Sequence, residues 1–416
     1  MTSRETADGL NSNIWKIYLI NFLKGLMFFL PIYALYLQQE LFTVFNVSLI
    51  IALEAVFLVL FEVPSGAIAD LFGRKNTLIV SGIVTLFALF FLSIGTALVF
   101  FIVYAILMSL AESLNSGTDV ALLFDSIKGV NKQARREAIA LSEKSVESRS
   151  ITLFPGKTHF KKVIGINGSM WQIGASVSAI IGGVLATQSL RLPILATIVP
   201  ATVALILVFF LTEPKYAKEK HSNILRHVSK SAKLFAKKRQ LLILFIVGFL
   251  FNAFGEVSHQ LKPIFLSFKV IPIEYFGLIF ALTFGLSALG SLISHDVSSK
   301  FGNKKVLIWS VISAPLLLLG ATLTVGIWVG IFLVTGALFW GIRGPIMMHL
   351  QNLEISSKNR ATVISVGNMG NRLGLAIFIP IFGLLSDQYT INFVFQLIGG
   401  LFFIAVFVIL FLKDKD

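Results

Sequence analysis

Hydrophobic residues in this chain are gathered into long runs that shorter polar segments separate. Twelve of the runs are long enough to cross a bilayer as an α-helix, which takes roughly 20 predominantly apolar residues. These runs occupy residues 14–37, 45–69, 77–97, 99–127, 163–187, 191–211, 241–268, 274–298, 304–325, 327–354, 361–386 and 391–412. The pattern predicts an all-α membrane protein with twelve transmembrane helices, which we call spans 1 to 12 in chain order.

Two longer polar segments interrupt the series. Residues 128–162, between spans 4 and 5, predict a cytoplasmic loop that is partly helical. Residues 212–240, between spans 6 and 7, predict a cytoplasmic linker, either an amphipathic helix on the membrane surface or a solvated segment. The linker divides the chain into an N-terminal six-helix bundle, residues 1–127 and 163–211, and a C-terminal one, residues 241–416.

Composition supports a membrane protein and excludes several other classes. Of 416 residues, 56% are hydrophobic and 13% charged, which is too apolar for a soluble globule of this size. The polar N-terminus is followed by a run of full spanning length, which favours a first transmembrane helix over a cleaved signal peptide. There is no cysteine, so disulfides and thiolate metal sites are excluded. No glycine-rich phosphate-binding loop ends in Gly-Lys-Ser or Gly-Lys-Thr, so ATP is not the expected energy source.

The formal charge of +14 is a signal of topology. Lysine and arginine fall mainly in every second loop, and Arg191 and Lys269 are the main exceptions. This asymmetry predicts that the basic loops and both termini lie in the cytoplasm, in a protein of the inner membrane. We expect anionic lipid to contact the basic loops, we expect no nucleic-acid partner, and we expect a monomer.

A charged turn joins spans 2 and 3. It contains Gly66, Asp70, Gly73, Arg74 and Lys75 at fixed spacing. Gly66 leaves room for a neighbouring helix to approach, and Gly73 supplies the backbone freedom that so short a turn requires. Arg74 and Lys75 hold the turn on the cytoplasmic side.

This spacing resembles the signature loop between the second and third helices of major facilitator superfamily transporters, and the resemblance covers the chain. It implies the fold of that family: two pseudo-symmetric six-helix bundles that alternate access to a central site, with spans 1, 4, 7 and 10 lining the cavity. It also implies a gate in which Asp70 lies near the start of span 11, at Arg360, and Arg74 pairs with Asp125 at the end of span 4. Leu71 departs from the family, which usually carries a basic residue there.

The two halves read as degenerate copies. Aligning Gly73 with Gly302 places Lys75 on Lys304, although the second copy lacks the acidic residue of the first. Two bundles related by an axis along the membrane normal are the expected product, with a site between them near mid-membrane.

Ionisable residues inside the spans are candidates for the site. Each costs roughly 2.5–3.5 kcal/mol at the bilayer centre, so those that remain usually face a partner or a wet cavity. The candidates for substrate binding or proton coupling are Lys24 in span 1, Glu112, Asn115 and Asp119 in span 4, Glu256 and His259 in span 7, Arg343 in span 10 and Arg372 in span 11. We expect no metal and no catalytic residue.

We predict that Lys24 pairs with Glu112, and that Glu112 shares one helical face with Asp119, seven residues on. Protonation of Glu112, Asp119 or Glu256 would couple protons to transport, because a poorly solvated carboxylate retains its proton more readily. The alternative is that these charges form static pairs that only fix helix packing.

The remaining candidates each have two interpretations. His259 shares a face with Glu256 and either titrates or serves as a hydrogen-bonded structural residue. Arg343 either binds an anionic group of the substrate or neutralises Glu256. Glu54 and Glu62 of span 2 are expected to make structural pairs.

The leading function is secondary active transport of a small organic molecule, driven by the proton gradient without a cofactor. Within transport, we expect proton-coupled efflux of amphipathic compounds, which an aromatic-rich cavity favours, and uptake is the alternative. Proton-coupled uptake of a polar or anionic nutrient or a metal chelate is favoured by Arg343, by Lys24, and by the lack of an antiporter signature ahead of Gly182 and Gly183. An enzyme is not expected because the six histidines are scattered singly, whereas a receptor on a transporter fold remains a remote alternative.

Overall fold

The computed structural model describes residues 3–142, 156–214, 238–355 and 360–412. This part of the chain is helical and contains no β-strand. Its α-helices are Ser3–Gly25, Tyr33–Leu41, Val44–Phe72, Arg74–Ile94, Leu98–Asn115, Thr118–Ser142, Gly156–Ala186, Leu192–Phe209, Arg239–Gln260, Lys262–Phe268, Glu274–Phe301, Asn303–Leu323, Ile327–Glu354, Arg360–Gln388 and Ile391–Ile409. Twelve segments are long and apolar enough to cross a membrane, so the predicted number of spans is confirmed.

Spans 1, 4 and 7 are each built from two consecutive helices, whereas the sequence predicts unbroken runs. In span 4 the break falls at Gly117, whose φ of 75° is a left-handed conformation that glycine adopts without strain. In span 1, Pro31 lies in the 3₁₀ turn Leu30–Ile32 between the two helices, and in span 7, Pro263 lies in the first turn of the second helix. Proline cannot continue a helix because it lacks an N–H and its ring clashes with the preceding turn. The helices of three spans are therefore interrupted within the bundle.

The two halves repeat one packing pattern. Span 1 packs against spans 5 and 6, span 4 against 2 and 3, and span 3 against 6. The C-terminal half makes the corresponding contacts: span 7 with 11 and 12, span 10 with 8 and 9, and span 9 with 12. The halves meet where span 2 packs along span 11 and span 5 along span 8. The predicted pseudo-symmetry is thus confirmed by packing.

The turns after spans 2 and 8 have the same backbone in both copies. Gly73 has φ 91° and ψ 150°, and Gly302 has φ 88° and ψ 139°. In the first copy the Glu213 carboxylate accepts hydrogen bonds from the main-chain N–H groups of Arg74, at 2.9 Å, and Lys75, at 2.7 Å. These are orphan donors at a helix N-terminus, where a carboxylate is favoured. We call the side of the protein that carries the two turns the basic face.

At the opposite face the two halves pack main chain against main chain. A Cβ atom on Gly277 of span 8 would overlap the carbonyl oxygen of Ala179 in span 5. Likewise, a Cβ on Gly383 of span 11 would overlap the Ser48 hydroxyl of span 2. Small residues allow such close helix approach in membranes. The halves are therefore closed against each other at this face.

A carboxylate also joins the halves there. The two oxygens of Asp387, near the end of span 11, accept hydrogen bonds of 2.8 Å from the main-chain N–H groups of Val44 and Phe45. These residues form the first turn of span 2, where the helix dipole favours a negative charge. Asp387 thus caps a helix of the other half.

The two basic residues that break the loop asymmetry have local partners at the opposite face. Arg191 lies 3.3 Å from the carboxylate of Glu40. Lys269 donates hydrogen bonds to the carbonyl oxygens of Thr322, at 2.5 Å, and Thr324, at 3.2 Å, beyond the last turns of span 9. Burial lowers the pKa of Lys269 below its ordinary value. Arg191 and Lys269 thus stabilise local structure, which explains why they lie outside the loops in which the other basic residues are concentrated.

The two polar segments are described only in part. Helix Thr118–Ser142 continues span 4, and Gly156–Ala186 begins ahead of the predicted start of span 5, so the segment 128–162 is partly helical. The predicted amphipathic helix of the linker, at 224–235, lies outside the described residues.

Candidate functional site

Each half contains a cavity near the breaks in its spans. The N cavity, of about 150 Å³, lies among spans 1, 3, 4, 5 and 6, and its polar lining includes Asn21, Lys24, Glu112 and Asn115. The C cavity, of about 260 Å³, lies among spans 7 to 10 and 12, and its polar lining includes Glu256, Ser258, His259, Lys262, Thr283 and Ser287. The structure therefore brings most of the predicted residues to two related places.

In the N cavity, the ammonium group of Lys24 donates a hydrogen bond to the side-chain oxygen of Asn115. It also interacts electrostatically with Asp119. The predicted ion pair between Lys24 and Glu112 is not formed, so that prediction was wrong. The reason is geometric: Lys24 and Asn115 both stand at the end of the first helix of a broken span, whereas Glu112 lies almost one turn earlier.

Asp119 belongs to a separate amide cluster. The side-chain nitrogen of Asn21 donates to Asp119 Oδ2 at 3.2 Å and to Asn167 Oδ1 at 2.7 Å. The prediction that Glu112 and Asp119 share one helical face was also wrong, because the break at Gly117 separates them into two helices. The sequence did not single out Asn21 or Asn167, since asparagine inside an apolar run is a weak signal.

Arg372 lies between the two halves. It is exposed, as is Glu112, and its charge acts electrostatically on Glu112 in the N-terminal half and on Glu256 in the C-terminal half. Since span 11 packs along span 2, this guanidinium group is positioned to respond to the charge of either carboxyl group.

The C cavity holds a row of ionisable side chains from span 7. Glu256 accepts a hydrogen bond of 2.9 Å from the Gln260 side chain. His259 lies with its ring centroid 5.5 Å from that of Phe280, and the Lys262 ammonium lies 5.1 Å from the same ring centroid. Glu256 and His259 line one cavity, as their spacing predicts. Lys262 is buried against the Phe280 ring, and its charge interacts electrostatically with that of Glu256.

Arg343 is held between two aromatic rings. Its guanidinium carbon lies 4.0 Å from the ring centroid of Phe251 and 4.2 Å from that of Trp340. The residue is 5% exposed. Within the described part of the chain it forms no ion pair with Glu256, so the interpretation in which Arg343 neutralises Glu256 is not met. A Cβ on Gly255 would overlap the Trp340 ring, so the glycine makes room for this arrangement. A desolvated cation without a carboxylate costs several kcal/mol, and an anion from outside would reduce that cost.

The predicted gating residues are described in part. Arg74 and Asp125 form an ion pair, and Arg74 also donates to the carbonyl oxygen of Ala121, so the pairing implied by the resemblance is present. The surroundings of Gly66 and the side chains of Asp70 and of residues 356–362 lie outside the described part of the chain. The contact predicted between Asp70 and the start of span 11 stays a prediction.

Twelve spans, two halves with one packing pattern and charged side chains at their centre define a secondary transporter. The sequence model of the Major Facilitator Superfamily matches residues 148–353 and 261–416. The chain belongs to this family and is an integral, multi-pass membrane transporter. No curated protein sequence matches it.

Solved structures of transporters share the fold. A variant of the nucleoside transporter NupG superimposes with a TM-score of 0.76 at 15% identity, over 97% of this chain and 100% of that one. The D-xylose-proton symporter gives 0.72 at 13% identity, over 97% and 98%. The peptide transporter POT, in complex with sulfate, gives 0.71 at 12% identity, over 99% and 97%. Likeness at these identities is one of fold.

Proposed function

We propose that this protein takes up a small polar solute bearing an acidic group, coupled to protons, across the inner membrane. The basic face then lies in the cytoplasm, because lysine and arginine favour that side. The observation that carries the proposal is a pair of buried cations in the C-terminal half. Arg343 is held between the Phe251 and Trp340 rings, and among the described residues it forms no ion pair. Lys262 lines the C cavity beside Phe280, with Glu256 as its electrostatic partner.

Efflux of amphipathic compounds fits this lining less well. A hydrophobic guest in the C cavity would supply no negative charge to Arg343 and would remove water from Lys262, which opposes its binding. An acidic solute would supply negative charge to both cations, while the ring of Trp340, which lines the C cavity and stacks on Arg343, would pack against its remaining surface.

Proton coupling is assigned to Glu112. This carboxyl group lines the N cavity and interacts with Arg372 across the boundary between the halves. When Glu112 takes up a proton, Arg372 loses that partner and its charge becomes available to Glu256 or to the solute. A ligand shifts a conformational equilibrium only by its differential affinity for the two states, and this exchange of partners supplies such a difference.

The structural neighbours carry polar solutes by name: nucleosides, peptides and xylose, the last together with a proton. These names support transport of a polar molecule, and the charges of the cavities carry the argument for an acidic group.

The test is a thermal-shift screen of the purified protein against carboxylates, sugars, nucleosides, peptides and cationic amphipathic dyes, followed by counterflow of labelled hits in liposomes. Acidic solutes should raise the melting temperature, and a pH gradient should drive their accumulation. Stabilisation by amphipathic dyes alone would favour efflux instead. Failure of every labelled hit to exchange would count against the proposal.

A further inference from the structure

Glu54, on span 2, is a further carboxyl group within the spans of the N-terminal half. Its side chain accepts a hydrogen bond from the hydroxyl group of Tyr33. Tyr104 lies beside Tyr33, with the ring centroids 6.0 Å apart. The hydroxyl group of Ser109 donates to the main-chain carbonyl oxygen of Glu54 at 2.9 Å, which fixes span 2 against span 4 at this depth. Three spans therefore converge on this carboxyl group.

Glu54 is partly buried beside two buried tyrosine rings, and among the described residues it forms no ion pair with a cation. Tyr33 is 7% exposed and Tyr104 is 2% exposed, and Phe29 packs edge-on against Tyr33. The ion pairs Arg74–Asp125 and Arg191–Glu40 of the described residues do not involve Glu54. A carboxylate here would have one phenol to stabilise it, so the site favours the neutral acid.

The ionisable groups near Glu54 come from each neighbouring span. Span 1 contributes Tyr33, and span 4 contributes Tyr104 and Glu112, both within electrostatic range. Span 11 packs along span 2 and carries Arg372, which acts on Glu112, and Asp387, which binds the first turn of span 2. The ionisable residues of span 3 lie at the basic face. Glu112 is therefore the next carboxyl group in reach.

The two carboxyl groups of Glu54 and Glu112 lie at different depths in the membrane. At 1.5 Å per residue, Glu54 stands about 15 Å along its helix from Val44, and Glu112 stands about 21 Å along its helix from Leu98. Both helices begin at the opposite face, so Glu54 lies nearer to that face. Glu112, by contrast, lines the N cavity.

We propose that Glu54 is a proton-carrying residue that loads from the opposite face and passes its proton to Glu112. In this step the O–H bond of the Glu54 acid breaks, the Glu112 carboxylate accepts the proton, and the Tyr33 hydroxyl stabilises the carboxylate left at Glu54. The inference rests on the proposed proton coupling through Glu112, but its tests require no transported solute.

The first test is infrared spectroscopy of the purified full-length protein. A protonated carboxyl group in a dry site gives a C=O stretching band apart from that of carboxylates. The Glu54→Gln variant should lose one such band, and Tyr33→Phe should shift it because the phenol no longer donates to it. Glu62→Gln, on the same span, is the matched control and should leave the band in place. Identical spectra for the wild type and Glu54→Gln at every pH tested would overturn the proposal.

The second test follows the conformation of the protein. Because the chain has no cysteine, spin labels can be placed at Val99→Cys and Ile327→Cys, at the opposite-face ends of spans 4 and 10. Deprotonation of Glu54 leaves a carboxylate that favours water, so a rise in pH should lengthen the label distance. The same rise should leave the distance unchanged in Glu54→Gln. A pH response that persists in Glu54→Gln and disappears in Glu112→Gln would assign the proton to Glu112 alone and overturn the role of Glu54.

These outcomes separate the inference from the proposed function. If no acidic solute is transported, the infrared band and the label distance still show whether Glu54 binds a proton. If Glu54→Gln unfolds, Glu54→Asp keeps a carboxyl group: a retained band and pH response would support the proposal, and their loss in a folded Glu54→Asp would contradict it.

Discussion

The two halves of the molecule pack alike but carry opposite charge at mid-membrane. In the N-terminal half, the ionisable residues at this depth are Glu54, Glu112 and Asp119 with Lys24. In the C-terminal half they are Lys262, Arg343 and Arg372 with Glu256 and His259. Duplication has therefore kept the contacts between helices, which depend on shape, while the side chains that line the cavities have diverged. From this comparison we infer that the acidic half binds the coupling proton and that the basic half binds the acidic solute.

The largest effect is expected from the basic half. Arg343→Gln removes the buried cation proposed to bind the acidic group, and it should weaken solute binding by about 2–5 kcal/mol, the range for truncating one partner of a buried charge pair. The lower end corresponds to roughly thirtyfold in affinity. Isothermal titration with the best acidic hit measures it, and Arg191→Gln, at the opposite face, is the control. If Lys24→Gln weakens solute binding as much as Arg343→Gln does, the two halves do not differ in their role in solute binding.

The shared packing is expected to tolerate little change. Gly277→Ala would push span 8 away from the Ala179 carbonyl group of span 5 and lower stability by about 1–3 kcal/mol through overpacking. Gly285→Ala, on the same span, meets no atom within 4 Å and should have almost no effect. Thermal unfolding in detergent compares the two variants, and equal melting temperatures would contradict the close packing of the halves.

The internal partner of Lys24 gives an effect of similar size. Asn115→Ala leaves the Lys24 ammonium group without its acceptor and should lower stability by about 1–3 kcal/mol, the cost of an unsatisfied polar group. Asn115→Asp should restore most of the loss because it returns an acceptor oxygen. Glu112→Gln should change the unfolding temperature little, since Glu112 is not the partner. A larger loss in Glu112→Gln than in Asn115→Ala would favour the ion pair that the sequence predicts.

The smallest effect concerns the contact between the halves at the opposite face. Asp387→Asn weakens the cap on span 2 and should shift the equilibrium towards a state open at that face by about 0.5–2 kcal/mol. The label distance between Val99→Cys and Ile327→Cys reports the shift. Asp296→Asn, which is exposed near the end of span 8, is the control. An unchanged distance distribution would show that the cap does not hold the halves together.

Hydropathy predicts the spans, the repeat and the turn at Gly73 because each is a local property of the chain. A run of apolar residues must cross the membrane wherever it lies in the fold. Even the breaks had local signals, in Gly117 and Pro263, but each lies within a segment that is apolar on average, so hydropathy alone does not reveal them.

Side-chain pairing at the site is not local, and there the sequence was a weaker guide. The break at Gly117 rotates Asp119 away from Glu112, and the end of one helix places Asn115 opposite Lys24. Charge alone favoured Glu112 as the partner, yet an amide oxygen was closer. The aromatic rings around Arg343 depend on the approach of spans 7 and 10, which Gly255 permits and no spacing rule reveals.

The Glu213 carboxylate has a mechanical consequence. It is fixed to the turn between spans 2 and 3, and it lies in sequence directly ahead of the tether that connects the two halves. The start of the linker between the two halves is thus fixed beside Arg74, a residue of the predicted gate. Tension in the linker would act first on the turn between spans 2 and 3. Shortening or stiffening the linker is therefore a way to alter gating without changing either cavity.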